Sequence, residues 1–138
     1  MPKGVLVSIE ILVDGTPVSL QAKGRSRVRW KARVSHAAQS ALPNGAQPIK
    51  DEVTVCITYF YETDGPDVDN IIKPIQDALN GIVYEDDRQV ARTVSQRSRI
   101  DGSFRIAGVS EEFAVHLSRG RDFVRIVVSE GPNHEELR

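Results

Sequence analysis

The segment from residue 53 to residue 61 constrains the fold most, because it is β-prone on both of its faces. Val53, Val55, Ile57, Tyr59 and Tyr61 alternate there with Thr54, Cys56, Thr58 and Phe60. Successive side chains of a strand point to opposite faces of a sheet, and β-branched and aromatic residues fit a pleated, buried surface. The pattern therefore predicts a central strand of a sheet.

Acidic residues follow this strand directly. Asp67 and Asp69 lie two positions apart, so their side chains project to the same side if the backbone is still extended there. Ligand sites of α/β proteins tend to lie beyond the carboxyl ends of strands. We therefore expect the two carboxylates to face one point at the end of the central strand.

A short helix separates these aspartates from a second acidic cluster. Apolar residues at helical spacing predict a helix that starts near Asn70 and ends at Asn80 and Gly81. A brief apolar return then leads to Glu85-Asp86-Asp87, which can bring a third carboxylate beside the first two. Ligands that are all oxygen favour Mg²⁺ or Mn²⁺ over zinc.

Lys73 lies one helical turn after Asp69. The helix macrodipole disfavours a cation at that end by up to about 1 kcal/mol, so acidic neighbours or a bound phosphate are expected to offset the cost. Each carboxylate alone has a simpler explanation: Asp67 or Asp69 can cap the helix, and the second cluster can be a solvated turn. The combination of paired aspartates, a lysine one turn later and a second acidic cluster favours a metal site.

These residues resemble the RusA family of Holliday junction resolvases, metal-dependent endodeoxyribonucleases common in phages and prophages. The matching motifs are Asp67-x-Asp69-Asn70-x-x-Lys73, Asp77-Ala78-Leu79-Asn80-Gly81 and Asp86-Asp87-x-Gln89-Val90. The resemblance implies that Asp67, Asp69 and Asp87 are catalytic residues that bind Mg²⁺, for which Mn²⁺ can substitute. It also implies that Lys73 is a catalytic cation and that Asp86 is an additional candidate ligand.

The resemblance further implies a substrate and an assembly. The substrate is a four-way junction or other branched DNA, cut symmetrically by a homodimer that offers two active sites. Two alternatives stay open: a branched-DNA-binding protein without catalysis, and a structural module that a cation stabilises. Cleavage of labelled junctions separates the enzyme from both.

Charge is distributed unevenly along the chain. The net charge is −1, although nucleic-acid-binding proteins usually carry a basic excess that neutralises phosphates. Six basic side chains and no acidic one lie between residues 23 and 33, whereas residues 51 to 87 hold ten acidic side chains and one lysine. Such runs are often solvated faces, but beside a metal site they indicate DNA contact. The candidate contact residues are Lys23, Arg25, Arg27, Arg29, Arg88 and Arg92.

The remaining pattern predicts one α+β (mixed α/β) domain over residues 1–138, with a mixed sheet of about four to six strands and two to three helices, as the resemblance also implies. We expect an opening hairpin (5–13 with 17–21) or bent strand, a helix over 27–42, a strand over 90–100, a turn at 101–102, a helix over 111–119, a last strand over 123–128 and a frayed tail from 131. Trp30 is expected in the core rather than stacked on a base, given its apolar area.

Composition limits the other possibilities. One cysteine, Cys56, excludes an internal disulfide and a cysteine-rich zinc site. The sequence has no apolar run long enough for a membrane span and no signal pattern at its start. We therefore expect a cytoplasmic protein.

Overall fold

The computed structural model describes residues 8–101 and 110–131, which form one mixed sheet with three helices. The elements in chain order are β1 (Ser8–Asp14), α1 (Gly24–Ala41), β2 (Val53–Tyr61), α2 (Ile72–Leu79), a 3₁₀ turn (Asp87–Gln89), β3 (Val90–Arg99), α3 (Glu111–Arg119) and β4 (Phe123–Glu130). The predicted α+β class is confirmed. None of the helices in the described ranges is long and apolar enough to cross a membrane.

The sheet has the strand order β1-β4-β2-β3. Strand β2 lies between β4, to which it is antiparallel, and β3, to which it is parallel, so the prediction of a central strand is confirmed. Parallel neighbours need a crossover connection. The connection from β2 to β3 contains the acidic segment, α2 and the 3₁₀ turn. This topology places the candidate metal ligands and Lys73 between the same two strands.

Helices α1 and α2 pack on one face of the sheet. Trp30, Val34 and Ala38 of α1 are buried in the same apolar cluster as Ile57 of β2 and Ile75 of α2. Trp30 is only 2% exposed. Its predicted place in the core is therefore confirmed, and its ring is not available to stack on a base.

A smaller aromatic cluster joins α3 to the other face. The rings of Phe60 and Phe123 stack at 4.7 Å, and Phe113 of α3 lies 5.4 Å from Phe60. Ser110 caps α3 by accepting a hydrogen bond from the Phe113 N–H, and Gly120 ends the helix in the left-handed conformation. Both ends of this helix agree with the prediction.

The predicted opening hairpin is wrong. Strand β1 pairs along its whole length with β4, from the far end of the sequence, and residues 17–21 form no strand. Gly15 does turn the chain, with φ +108°, but its N–H donates to the Asp122 carbonyl and not to a hairpin partner. The chain leaves the sheet there and enters α1, which begins at Gly24, three positions earlier than predicted.

Three predicted segments are only partly described. Residues 5–7 of the opening strand lie outside the described residues. The turn at 101–102 is described at Asp101 alone, and the tail from 131 at Gly131 alone.

Candidate active site

The segment that carries Asp67 and Asp69 is a turn. The Asn70 N–H donates to the Asp67 carbonyl over 3.1 Å, and residues 68–70 have turn geometry. The extended backbone on which we based the expectation that the two carboxylates face one point is therefore absent here. The physical reason is that β2 ends at Tyr61, well before the first aspartate, so strand alternation does not fix where the two carboxylates point.

Strand β3 holds the main chain of this turn in place. The Ser95 hydroxyl donates to the Val68 carbonyl over 2.5 Å, and the Arg97 guanidinium donates to the Gly65 carbonyl over 3.3 Å. Arg97 also lies over the Tyr61 ring, 5.0 Å from its centre. These contacts hold the backbone of the turn against β3, and they do not involve the carboxylates of Asp67 and Asp69.

Asp67 and Asp69 are both exposed. Their carboxylates have no hydrogen-bond or ion-pair partner among residues 8–101 and 110–131. An ionised carboxylate can accept several hydrogen bonds or coordinate a cation. The fold therefore presents two acidic groups whose binding capacity it does not use itself.

Helix α2 starts at Ile72, close to the predicted start, and its sequence explains the position of Lys73. Pro74 lies in the first turn, where its missing N–H would have no intrahelical acceptor, so the helix tolerates a proline there. Ile75 and Leu79 are buried. Lys73 and Asp77 lie on the other side of the helix from Ile75 and Leu79, so their side chains face solvent.

Lys73 bridges two aspartates. Its Nζ atom is 2.9 Å from Asp77 Oδ1, one turn along α2, and 3.3 Å from Asp87 Oδ2. The hydrogen bond to Asp77, followed by the one to Asp87, raises the pKa of the Lys73 ammonium above its ordinary value. The expectation that acidic neighbours offset the macrodipole cost is confirmed, and Lys73 stays protonated at neutral pH.

Asp87 occupies its position because Asp86 and Gln89 fix the 3₁₀ turn. The Asp86 carboxylate accepts from the Arg88 N–H, and the Asp86 N–H donates to Gln89 Oε1 in return. The Arg88 N–H is the main reason that the pKa of Asp86 is lowered. Asp86, named above as an additional candidate ligand, therefore serves as a cap in this structure.

Gln89 attaches the turn to the segment that leads into β2. Its side-chain amide donates to the Ile49 carbonyl over 2.7 Å and to the Asp51 carbonyl over 2.9 Å. One glutamine side chain thus makes three hydrogen bonds when the Asp86 N–H is included. This arrangement fixes the backbone next to Asp87 and leaves its carboxylate directed toward Lys73.

Tyr84 closes the return from α2. The return begins at Gly81, which has φ +82° and donates its N–H to the Tyr84 carbonyl over 2.7 Å. The Tyr84 hydroxyl is buried and donates to the Gln76 carbonyl over 2.9 Å. Burial, and then the negative charges of Asp87 and Asp77, raise the pKa of this phenol. Tyr84 therefore remains a neutral donor that ties the return to α2.

The structure brings together Lys73, Asp77 and Asp87. Asp77 was named above only as part of a motif, and its spacing of four from Lys73 was the signal for an ion pair on one helix face. Lys31 of α1 also reaches Asp77, at 3.6 Å. Within the described ranges, no three His, Cys, Asp or Glu side chains lie close enough to form a ready metal site.

The predicted DNA-contact residues lie on different surfaces. Lys23, Arg25 and Arg29 are exposed at or in the first half of α1. Arg27 is half-buried, and its buried Nε–H has no acceptor in the described structure. Arg88 is 89% exposed beside Asp87.

Arg92 of β3 is separated from this surface. Its neighbour Thr93 accepts a hydrogen bond from Gln76 of α2, so Arg92 points to the opposite face of the sheet. Any DNA that Arg92 contacts is therefore on the side of the sheet away from α2.

Comparison with known proteins supports the resemblance. The family model described as Endodeoxyribonuclease RusA matches residues 20–107. This range contains α1, β2, α2, the 3₁₀ turn and β3, and with them every candidate site residue. No curated protein matches the sequence. Because the family match covers more than half of the chain, this protein belongs to the RusA family of Holliday junction resolving endodeoxyribonucleases.

Proposed function

We propose that this protein cuts four-way DNA junctions by Mg²⁺-dependent hydrolysis of phosphodiester bonds. One observation carries the proposal: within the range that the family model matches, Asp67 and Asp69 are exposed carboxylates without protein partners among the described residues. A third carboxylate, Asp87, is held close to the start of α2 by Lys73.

The donor chemistry of these side chains suits Mg²⁺. The three proposed ligands are carboxylates, and Mg²⁺ usually takes one or two carboxylates and keeps several water molecules. Asp67 and Asp69 need to give up no protein contact to bind it. Asp87 would have to give up its contact with Lys73 in order to bind the ion. Lys73 could keep its other contact, with Asp77, at 2.9 Å. We propose that the ligands close on the ion when it binds, since the described side chains do not form a ready cluster.

Lys73 would act on the substrate from this position. When bound, Mg²⁺ neutralises charge on a scissile phosphate and acidifies water. The Lys73 ammonium stays charged and is 51% exposed, so it can donate to phosphate oxygens on which negative charge increases in the transition state. Asp77 would keep the ammonium directed to that place when Asp87 turns away.

Symmetric cleavage requires two active sites. A four-way junction has two equivalent strands to cut, and a two-fold symmetric dimer offers one site to each of them. We therefore propose that the active form is a homodimer.

Cleavage of labelled four-way junctions in Mg²⁺ tests the proposal, with EDTA as the blank and with flap and linear duplex as competing substrates. We expect paired cuts at symmetric positions in the junction and little product from linear duplex. A mobility shift without product would support a branched-DNA-binding protein instead. Thermal stabilisation by Mg²⁺ with no DNA binding would support a structural module.

A further inference from the structure

A cavity of about 420 Å³ lies between α1 and the segment that follows β1. Its lining residues are Thr16, Val18, Ser26, Arg29, Trp30 and Arg33. The polar groups of these side chains are two guanidinium groups, two hydroxyls and one indole N–H, and none of the described residues that line the cavity is acidic. Two other cavities of the molecule differ in this respect, because Asp14, Asp64 and Asp122 line one and Glu10 and Glu112 line the other.

Helical spacing builds one wall of this cavity. Ser26 and Trp30 are four residues apart on α1, as are Arg29 and Arg33, and residues at this spacing lie side by side on a helix. Gly15, which precedes Thr16 of the opposite wall, is close to Arg33, because a Cβ atom added at Gly15 would lie 2.6 Å from Arg33 Nη1. The two guanidinium groups are therefore on the side of α1 that faces the segment after β1.

Three of the donors around the cavity have no acceptor in the part of the chain that the structure describes. Neither Arg29 nor Arg33 has an acidic partner there. Trp30 is 2% exposed, and its buried Nε1–H also has no acceptor there. The Thr16 hydroxyl, in contrast, donates to Asp122. Buried donors normally have acceptors.

The cavity is also close to the strand that leads to the carboxylates. Arg33 lines both this cavity and the neighbouring cleft of about 600 Å³, in which Glu62, Thr63 and Asp64 take part. These residues follow β2 and precede Asp67. A phosphate bound by Arg33 would therefore belong to a strand of DNA that can continue toward the proposed metal ligands.

We infer that this cavity binds one phosphate of the DNA backbone, held jointly by Arg29 and Arg33. The inference rests on the proposed function, in which DNA is the substrate, and adds a binding site separate from the site of cleavage. Guanidinium groups suit this role because their planar donors match phosphate oxygens in pairs. The other four basic residues between 23 and 33 do not line the cavity: Lys23, Arg25, Arg27 and Lys31.

Binding of an uncut junction in EDTA, over a range of salt concentrations, tests the inference without any cleavage. We expect Arg33→Gln to weaken binding about tenfold, the usual consequence of losing a hydrogen bond to a charged group. One bound phosphate contributes about 0.9 to the slope of log K against log salt. Because both arginines hold the same phosphate, Arg29→Gln/Arg33→Gln should change the slope by about 0.9, no more than the single variant.

Two results with the double variant would overturn the inference. One is unchanged affinity. The other is a slope change of about 1.8, which would mean that the two arginines neutralise separate phosphates.

Lys31→Gln is the matched control, since it removes the same charge from the same helix outside the cavity. If it weakens binding as much as Arg33→Gln, the basic residues between 23 and 33 act as a diffuse charge and the inference is wrong.

A substitution that changes no charge controls for effects on folding. Ser26→Ala removes a hydroxyl from the first half of α1, and alanine favours helix formation. We expect about 2- to 10-fold weaker binding, the value of one hydrogen bond, with an unchanged unfolding temperature.

The indole of Trp30 provides a direct probe, because the chain has one tryptophan. Its ¹⁵N–H signal should shift when junction DNA is added to the wild type and should stay in place in Arg29→Gln/Arg33→Gln. No shift in wild type that binds DNA would contradict the inference. If inorganic phosphate shifts the signal and DNA displaces that phosphate, the site is for backbone phosphate; if DNA does not displace it, the site serves a free anion and the inference is wrong.

The nuclease proposal can fail separately. A protein that binds junctions through Arg29 and Arg33 but never cuts them would contradict the proposed function alone. A protein that cuts junctions and whose double variant binds normally would contradict the cavity alone.

Discussion

The Nζ atom of Lys73 lies 3.3 Å from Oδ2 of Asp87, although the two residues are 14 positions apart in the sequence. The contact joins the first turn of α2 to the 3₁₀ turn before β3. Among the described cationic side chains, Lys73 is the one that contacts the proposed metal ligand Asp87. Lys73 and the proposed metal ligand Asp87 are therefore coupled, and a substitution of either residue should change the environment of the other.

Asp69→Asn and Asp87→Asn should abolish cutting while junction binding in EDTA persists. Asparagine has nearly the same shape as aspartate but lacks the charge that holds a divalent cation. We expect activity to fall more than about 100-fold, beyond the cost of losing a residue that only supports a metal ligand. Glu85→Gln is the matched control in the same acidic cluster. If either aspartate variant cuts at the wild-type rate, its assignment as a ligand is wrong.

Lys73→Met should lower kcat with little effect on junction affinity. Loss of a group that stabilises developing charge typically costs about 10²- to 10³-fold in kcat. Single-turnover cleavage at saturating enzyme measures this directly. Lys31→Met is the control, because Lys31 also pairs with Asp77, at 3.6 Å, but does not reach Asp87. Equal losses of kcat in the two variants would show that cleavage depends on positive charge near Asp77 in general and not on Lys73 specifically.

Gln89→Ala should destabilise the fold. It removes two hydrogen bonds to the carbonyls of Ile49 and Asp51 and one from the Asp86 N–H. Part-buried backbone groups left without partners cost about 1–3 kcal/mol, measurable by urea unfolding. Arg88→Ala, one position away and 89% exposed, should change stability by less than about 0.5 kcal/mol. Similar effects of the two substitutions would contradict the role given to Gln89.

Local patterns in the sequence predicted the elements that depend on local physics. The alternation over 53–61 marks β2, and Ser110 and Gly120 mark the ends of α3, because caps and strand faces are properties of neighbouring residues. The pairing of β1 with β4 could not be read in this way. It joins Ser8 to Ser129, and a local turn signal at Asp14 and Gly15 favours the wrong, nearer partner.

The residues of the candidate site could be named from the sequence, but the arrangement of their side chains in space could not. The motifs named Lys73 and Asp87, and the structure brings them into contact. The turn at Asp67 was missed because the alternation that marks β2 ends at Tyr61 and carries no information about the backbone beyond it. The anchoring role of Ser95 was also missed, since a serine in an Arg-rich strand carries no signal of a contact with the Val68 carbonyl.

Acid should destabilise the protein partly through Asp122. Burial opposes ionisation of this carboxylate, but hydrogen bonds from the Tyr59 hydroxyl, the Glu62 N–H and the Thr16 hydroxyl outweigh it and lower its pKa below 3.8. A lowered pKa in the folded state means that the stabilisation is present above the unfolded value and is lost as pH falls through the folded value.

Urea unfolding between about pH 5 and pH 2 measures this loss. Wild type should lose more stability over that range than Asp122→Asn, which has no charge to lose at this position. Above pH 5 the variant should be the less stable of the two, because the amide is a weaker acceptor for the Tyr59 hydroxyl. Parallel curves for the two proteins would contradict the assignment.

Gly65→Ala should disturb both stability and cutting. A Cβ atom at residue 65 would lie 2.2 Å from the Tyr59 hydroxyl and 2.6 Å from its ring, and Tyr59 is buried and bonded to Asp122. Overpacking of this kind costs about 1–3 kcal/mol. The backbone of residue 65, which Arg97 holds, has to move, and Asp67 moves with it. Unfolding and cleavage assays should both show the loss, whereas Gly24→Ala, with no contact closer than 4.0 Å, should be harmless. Normal cleavage by a folded Gly65→Ala protein would show that this loop does not position Asp67.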